Sequence, residues 1–197
     1  MPEVRALIRS LVMTYLGEPP TLARSLAAAE RQTTPFDEII GVQGLETESE
    51  DIADGFRVAR GDRIYTTNAD CYLPPDFVAK MDAWLDAGYS AACGVRLEPV
   101  LKRRLPAKPQ TRMRFRLGVT GSGMAFKREL LSALPFSFKV GWDVELVMKS
   151  RAKFVVDPSV RIVHDHPSTP MHFVGKGAGY VFRMARLLGK YGGYGVI

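Results

Sequence analysis

Apolar positions alternate between two rhythms through the first hundred residues. Short apolar runs predict strands at Leu7–Met13, Phe36–Val42, Arg63–Thr67 and Tyr89–Val95. Between them, helical spacing places Leu22, Leu26 and Ala29 on one face of a helix that opens at Pro20 or Thr21 and runs to about Arg31. Ile52, Phe56 and Ala59 form the stripe of a second helix, capped by Ser49. Phe77, Met81, Trp84 and Leu85 form that of a third, with Pro75 at its first position and Gly88 at its end. Strands that alternate with helices predict an α/β fold around a mostly parallel sheet. Gln43-Gly44 and Gly61-Asp62 are the breaks and turns between elements.

The second half is less regular. Arg112–Val119 alternates basic and apolar residues as a half-exposed strand does. Gly121-Ser122-Gly123 precedes a Met124–Phe126 strand and a helical Lys127–Leu134. Gly141-Trp142-Asp143 opens another helix. Phe154–Val156 and Val160–Val163 read as two short strands around Asp157-Pro158, followed by His164-Asp165-His166-Pro167. An amphipathic helix over Pro170–Lys190 carries Lys176, Arg183, Arg186 and Lys190 on its polar side. No repeat or linker divides the 197 residues, so one domain is expected: a first half over 1–100, a second over 101–169, and a C-terminal helix and tail over 170–197.

Composition narrows the setting. Hydrophobic residues make up 46% and charged ones 24%, as in a soluble globular protein. No apolar run is long enough to span a bilayer, and Arg5 and Arg9 interrupt the stretch where a signal peptide would lie. The two cysteines, Cys71 and Cys93, make no disulfide framework and no zinc pattern, so a cytoplasmic location is expected. A net charge of +6 favours anionic partners. Lys102–Arg116 concentrates it, with seven basic residues and no acidic one.

In an open α/β sheet, ligands bind beyond the carboxyl ends of the strands. Thr14-Tyr15, Gln43 and Asn68-Ala69-Asp70 fall at such ends and should converge on one crevice. Asp70 suits a hard divalent cation, which takes one or two carboxylates plus phosphate oxygens; a turn carboxylate before the Pro75 helix is the other reading.

Five segments, in order, resemble family 2 glycosyltransferases of the GT-A fold: VMTYLGEPPTLARSLAAAERQTTPFDEIIGV, ARGDRIYTTNADCYLPPDF, GSGMAFKRELL, GWDVELVMKSR and VRIVHDHP. The resemblance implies a Rossmann-like, mostly parallel central sheet flanked by helices in a single compact domain. It implies transfer of a sugar from a nucleotide-diphosphate donor, a UDP- or GDP-sugar, to an acceptor hydroxyl, with inversion and with Mn²⁺ or Mg²⁺. Thr14, Tyr15, Glu18, Gln43, Asn68 and Asp70 would bind the nucleotide-sugar. Asp70 and His164 (or His166) would approach the metal. Asp143 would be the general base, its anion favoured by the helix start. Gly123 and Trp142 would lie at the acceptor site, Trp142 either as a sugar platform or as a core residue.

Four departures stand out. Gln43-Gly44 replaces acidic residues that often read the base, Asn68 replaces an Asp of the metal motif, Trp142 replaces the first acidic residue of the pair before Asp143, and the chain between Val42 and Arg63 is short. They leave an alternative open: a degenerate glycosyltransferase-like module that binds nucleic acid, an acidic partner or a membrane through its basic surface. The acceptor class is open too (glycan, lipid phosphate, protein or modified nucleic acid), and the C-terminal helix suggests a peripheral membrane contact. A sugar-1-phosphate nucleotidyltransferase fits poorly, because Thr14–Pro20 offers one glycine and no cation for a triphosphate.

Overall fold

The computed structural model describes residues 6–17, 19–44, 48–97, 108–111, 120–136 and 141–165. Glu18, His166, the Arg112–Val119 strand, most of the basic run and the Pro170–Lys190 helix lie outside the described residues.

Seven strands form one sheet: β1 (Arg9–Tyr15), β2 (Glu38–Gln43), β3 (Arg63–Asn68), β4 (Cys71–Tyr72), β5 (Ala91–Leu97), β6 (Met124–Lys127) and β7 (Phe154–His164). Their order across the sheet is β2-β1-β3-β6-β5-β7-β4. β1 pairs in parallel with β2 and β3, and β5 with β7; β6 runs antiparallel between β3 and β5, and β4 runs antiparallel on β7. The helices are α1 (Leu22–Glu30), α2 (Glu48–Val58), α3 (Phe77–Asp86) and α4 (Trp142–Lys149), with a 3-10 turn at Arg128–Ala133.

Both faces of the sheet are covered, which is why its central strands read as near-continuous apolar runs. Val12, Ile64, Cys93 and Phe126 pack with α2 and α4 on one face; Leu11, Met13, Tyr65 and Ala125 pack with α1 and α3 on the other. Edge strand β2 alternates half-buried and exposed positions instead.

The differences from the sequence reading have local causes. β1 starts two residues later than expected and runs on through Thr14 and Tyr15. Its polar members are satisfied in place: the Arg9 guanidinium reaches Asp82 at 2.8 Å, and the Ser10 hydroxyl accepts from Gly61 N at 2.6 Å. Ser49 does not precede α2 but sits buried in its first turn. α3 begins at Phe77 rather than at Pro75, its first bond running from Phe77 N to Pro74 O at 3.0 Å. The two late strands are one, β7. Its pairing with β5 jumps from Cys93↔Val156 to Val95↔Arg161, so Asp157–Val160 bulge out opposite Gly94. Pro158, which has no N–H to give the ladder, is housed in that bulge.

Candidate functional site

The parallel strands end together on one edge, and the polar residues expected there are there. Tyr15 and Gln43 are register partners at the ends of β1 and β2, and Tyr15 O accepts from Gly44 N at 2.7 Å. Thr14 and Asn68 are register partners at the ends of β1 and β3, with the Thr14 hydroxyl 3.5 Å from Asn68 Oδ1. Gln43 is exposed and Asn68 half-buried.

Beyond Asn68 the chain turns sharply. Ala69 N donates to Thr14 O at 2.9 Å, which prolongs the ladder by one bond. Ala69 and Asp70 form the turn, and β4 then crosses to the far edge of the sheet, pairing Cys71 with His164 and Tyr72 with Val163. Ser25 of α1 clamps the turn, its buried hydroxyl bonding to Ala69 O at 2.7 Å and lying 3.1 Å from Cys71 O. The result brings Asp70 Oδ2 within 3.0 Å of His164 Nε2. Asp165 N closes the arrangement on Asp70 O at 2.7 Å. Asp70 does not cap α3, whose N-cap is Asp76. Burial pushes the Asp70 carboxyl up, but the His164 hydrogen bond and charge, and then the Cys71 thiol, outweigh it and hold the group below its ordinary value.

Asp143 stands in the first turn of α4. Its Oδ2 accepts from Gly121 N at 2.7 Å and its Oδ1 from Val144 N at 2.8 Å. Gly121 O in turn accepts from Thr66 of β3 at 2.6 Å. The next residue, Ser122, hydrogen-bonds the Cys71 thiol, and Gly123 O accepts from Gly94 N at 3.0 Å. Residues 121–123 therefore join the Asp70 end of the site to the Asp143 end. The helix start was expected to keep Asp143 readily ionised, and here the structure differs. Burial dominates and raises its pKa, although the N–H groups of Val144 and Gly121 and the charge of Arg96 pull it down.

Trp142 and Gly123 are placed less openly. Trp142 is 3% exposed, its ring edge-on to Phe56 at 5.4 Å, tilted on Phe136 at 6.1 Å and laid against Gly121. Of the two readings open for Trp142, its burial fits the core residue. Gly123 is also buried, at φ +142° and tight against Ile162.

Sequence reasoning missed Ser25, Cys71 and Arg96. Arg96 stands near the end of β5, and its charge acts on both Cys71 and Asp143. A strand-end arginine after an apolar run was the available signal. Cys71, Asp70 and His164 offer three ligand atoms within 4.8 Å of one another. A groove of about 600 Å³ on the outer side of α1, between Ala27, Arg31 and Tyr72, borders this corner but includes none of the expected site residues.

With that geometry in place, the likenesses to known proteins are specific. Residues 46–138 match the family model for glycosyl transferase family 2. The chain has a GT-A-like fold, and its residues 46–138 resemble glycosyl transferase family 2. S. aureus TarS superposes with a TM-score of 0.62 at 14% identity, over 81% of this chain and 37% of TarS. TarS 1–349 in complex with UDP-GlcNAc gives 0.62 at 12% identity, over 82% of this chain and 60% of that one. A mycobacterial protein gives 0.69 at 18% identity, over 94% of this chain and 75% of that one. The chain spans from just over a third to three-fifths of the TarS structures it matches. No curated protein matches it by sequence.

Proposed function

We propose that this chain transfers a sugar from a nucleotide-diphosphate donor to an acceptor hydroxyl. The observation that carries the reading is the Asp70–His164 contact at the strand ends. The sequence separates these residues by more than ninety positions, and β4 exists to bring them together. The TarS neighbour holds UDP-GlcNAc, which supports a nucleotide-sugar as donor.

Tyr15 and Gln43 stand where the nucleoside would lie, and Thr14 and Asn68 position the turn that presents Asp70. A carboxylate and an imidazole on one corner fit a divalent ion, Mn²⁺ better than Mg²⁺, which prefers oxygen ligands alone. Bound there by Asp70 and His164, such an ion supplies charge neutralisation for a departing diphosphate. Asp143 accepts the proton of the acceptor hydroxyl. The acceptor oxygen then bonds to the anomeric carbon as the carbon–oxygen bond to the diphosphate breaks, and the nucleoside diphosphate leaves with the bonding pair. Displacement from the opposite side inverts that carbon. Arg96, whose charge acts on both Cys71 and Asp143, is a fixed cation for the charge that develops.

Calorimetric titration with UDP, GDP and their sugar conjugates tests this, with Mn²⁺ or with chelator, on wild type and Asp70→Ala. The expected outcome is metal-dependent binding of one nucleotide that the variant loses. A folded protein that binds no nucleotide would overturn the transferase reading and leave the degenerate binding module.

A further inference from the structure

Cys71 is the member of this corner that the proposed transfer leaves idle. Its Sγ lies 3.4 Å from Asp70 Oδ1, on the same carboxylate whose other oxygen meets His164 Nε2 at 3.0 Å. The placement follows from the ladder. Cys71 and His164 are directly opposed across the antiparallel β4–β7 pair, and opposed residues project from the same face. The thiol therefore lies beside the imidazole, and the turn at Ala69–Asp70 sets the carboxylate against both. A thiol surrounded only by apolar groups is a packing residue. This one touches Asp70 and Ser122; burial and then the Asp70 charge push its thiol up, against the smaller pull of Ser122 and Arg96. Both cysteines lie in apolar clusters, Cys93 with Met124 and Phe126 and Cys71 with Leu73 and Phe77; what sets Cys71 apart is the carboxylate and imidazole beside it.

Resting on the metal reading above, we propose that Cys71 is a third protein ligand, which makes the corner an Asp-His-Cys site that favours a thiophilic divalent ion over Mg²⁺. Thiolate and imidazole ligands suit zinc-like ions, whereas Mg²⁺ takes oxygen donors in a near-octahedral shell. The ligand atoms all lie within 4.8 Å of one another, so side-chain shifts of about an ångström would bring them to the roughly 3.5 Å separation set by tetrahedral metal–sulfur and metal–nitrogen bonds of about 2.3 and 2.0 Å. Three protein ligands leave the fourth tetrahedral position to an oxygen from outside the chain. On binding, the S–H bond breaks, its proton leaves to solvent, and the sulfur electron pair forms the bond to the ion. No oxidant or reductant takes part.

The test is a Co²⁺ titration of the metal-stripped full chain, read at the near-ultraviolet thiolate-to-cobalt band and in the visible ligand-field bands. It is repeated on Cys71→Ser and Cys71→Ala, each checked for fold by circular dichroism. Wild type is expected to develop the thiolate band to saturation at one equivalent. Both variants are expected to lack it while binding Co²⁺ and Zn²⁺ at least about tenfold more weakly, with Mg²⁺ affinity changed less than about twofold. Visible bands without a thiolate band in wild type would overturn the proposal, and so would a thiolate band that survives both variants. Titration with UDP in the same samples separates the two readings. Nucleotide binding that needs Asp70, without a thiolate band, removes Cys71 alone. A thiolate band in a protein that binds no nucleotide removes the transferase reading alone.

Discussion

Asp143 carries two opposed demands in one side chain. A base must be unprotonated to accept a proton, yet burial favours the protonated form and raises its pKa above the ordinary aspartate value. A base with a raised pKa is also a stronger proton acceptor, so the shift suits the role proposed for it. Asp143→Asn should therefore lower kcat by about 10²–10⁴-fold while nucleotide affinity changes little, which steady-state rates and calorimetry on one preparation check. In wild type the acid limb of kcat against pH should lie above the ordinary aspartate range. Arg96→Ala should move it further up, because removing a nearby cation disfavours the carboxylate. Unfolding at several pH values reads the same shift as stability. A carboxyl raised in the folded state contributes fully below its unfolded pKa, and that contribution declines as pH rises through the folded one. Asp70 and Asp143 were singled out in the sequence by the order of the motifs that resemble family 2 glycosyltransferases, and they stand in the turn after β3 and in the first turn of α4. Cys71 was not, because its neighbour His164 stands across the β4–β7 ladder, a pairing that is invisible until the register is known. Arg96 offered only its place near the end of a strand.

At the scale of elements, β5 and β7 hold the two ends of the site together. Asp157 anchors the bulge between them, with Oδ2 accepting from the Trp84 indole at 2.9 Å and Oδ1 from Ser159 N at 2.8 Å. Gly94 lies opposite. A methyl group there would fall 2.6 Å from the carbonyl oxygen of Val160 and against the Ile162 side chain. Gly94→Ala should thus cost about 1–3 kcal/mol of stability, measured by denaturant unfolding. It should also weaken nucleotide binding, because Gly94 N holds Gly123 O and with it the 121–123 loop. A variant as stable as wild type would mean that the bulge relaxes freely. The alternation of strands and helices was legible because the central apolar runs are covered on both faces. The union of the two late strands was not, since a proline inside an apolar run signals a break and only the register shift shows how the strand survives it. The two-residue β4 was hidden for a different reason: Cys71-Tyr72 is too short to have a period.

Across the whole molecule, the candidate site lies at one end of the strands and a charged lock lies at the other. Arg9 and Arg63 are the first residues of β1 and β3, and Asp82 of α3 takes both, at 2.8 Å and 2.6 Å. The Tyr65 hydroxyl donates to the same carboxylate, and Arg63 also meets Asp86. Asp82 is 8% exposed, so this is a largely desolvated cluster in which one anion serves two cations and a phenol. Burial, and then the hydrogen bond to Asp82, push the Tyr65 phenol far above its ordinary pKa, which keeps it a neutral donor. Removing the shared anion leaves the guanidiniums facing each other across two strands. Asp82→Ala should therefore destabilise the fold by about 3–5 kcal/mol. Because the cluster lies at the opposite ends of the strands that present Thr14 and Asn68, nucleotide affinity measured well below the melting temperature should stay within about twofold of wild type. A variant that melts like wild type would show that Asp86 and solvent replace Asp82. A variant that melts early and also loses nucleotide would show that the two ends of the strands are coupled through β1 and β3.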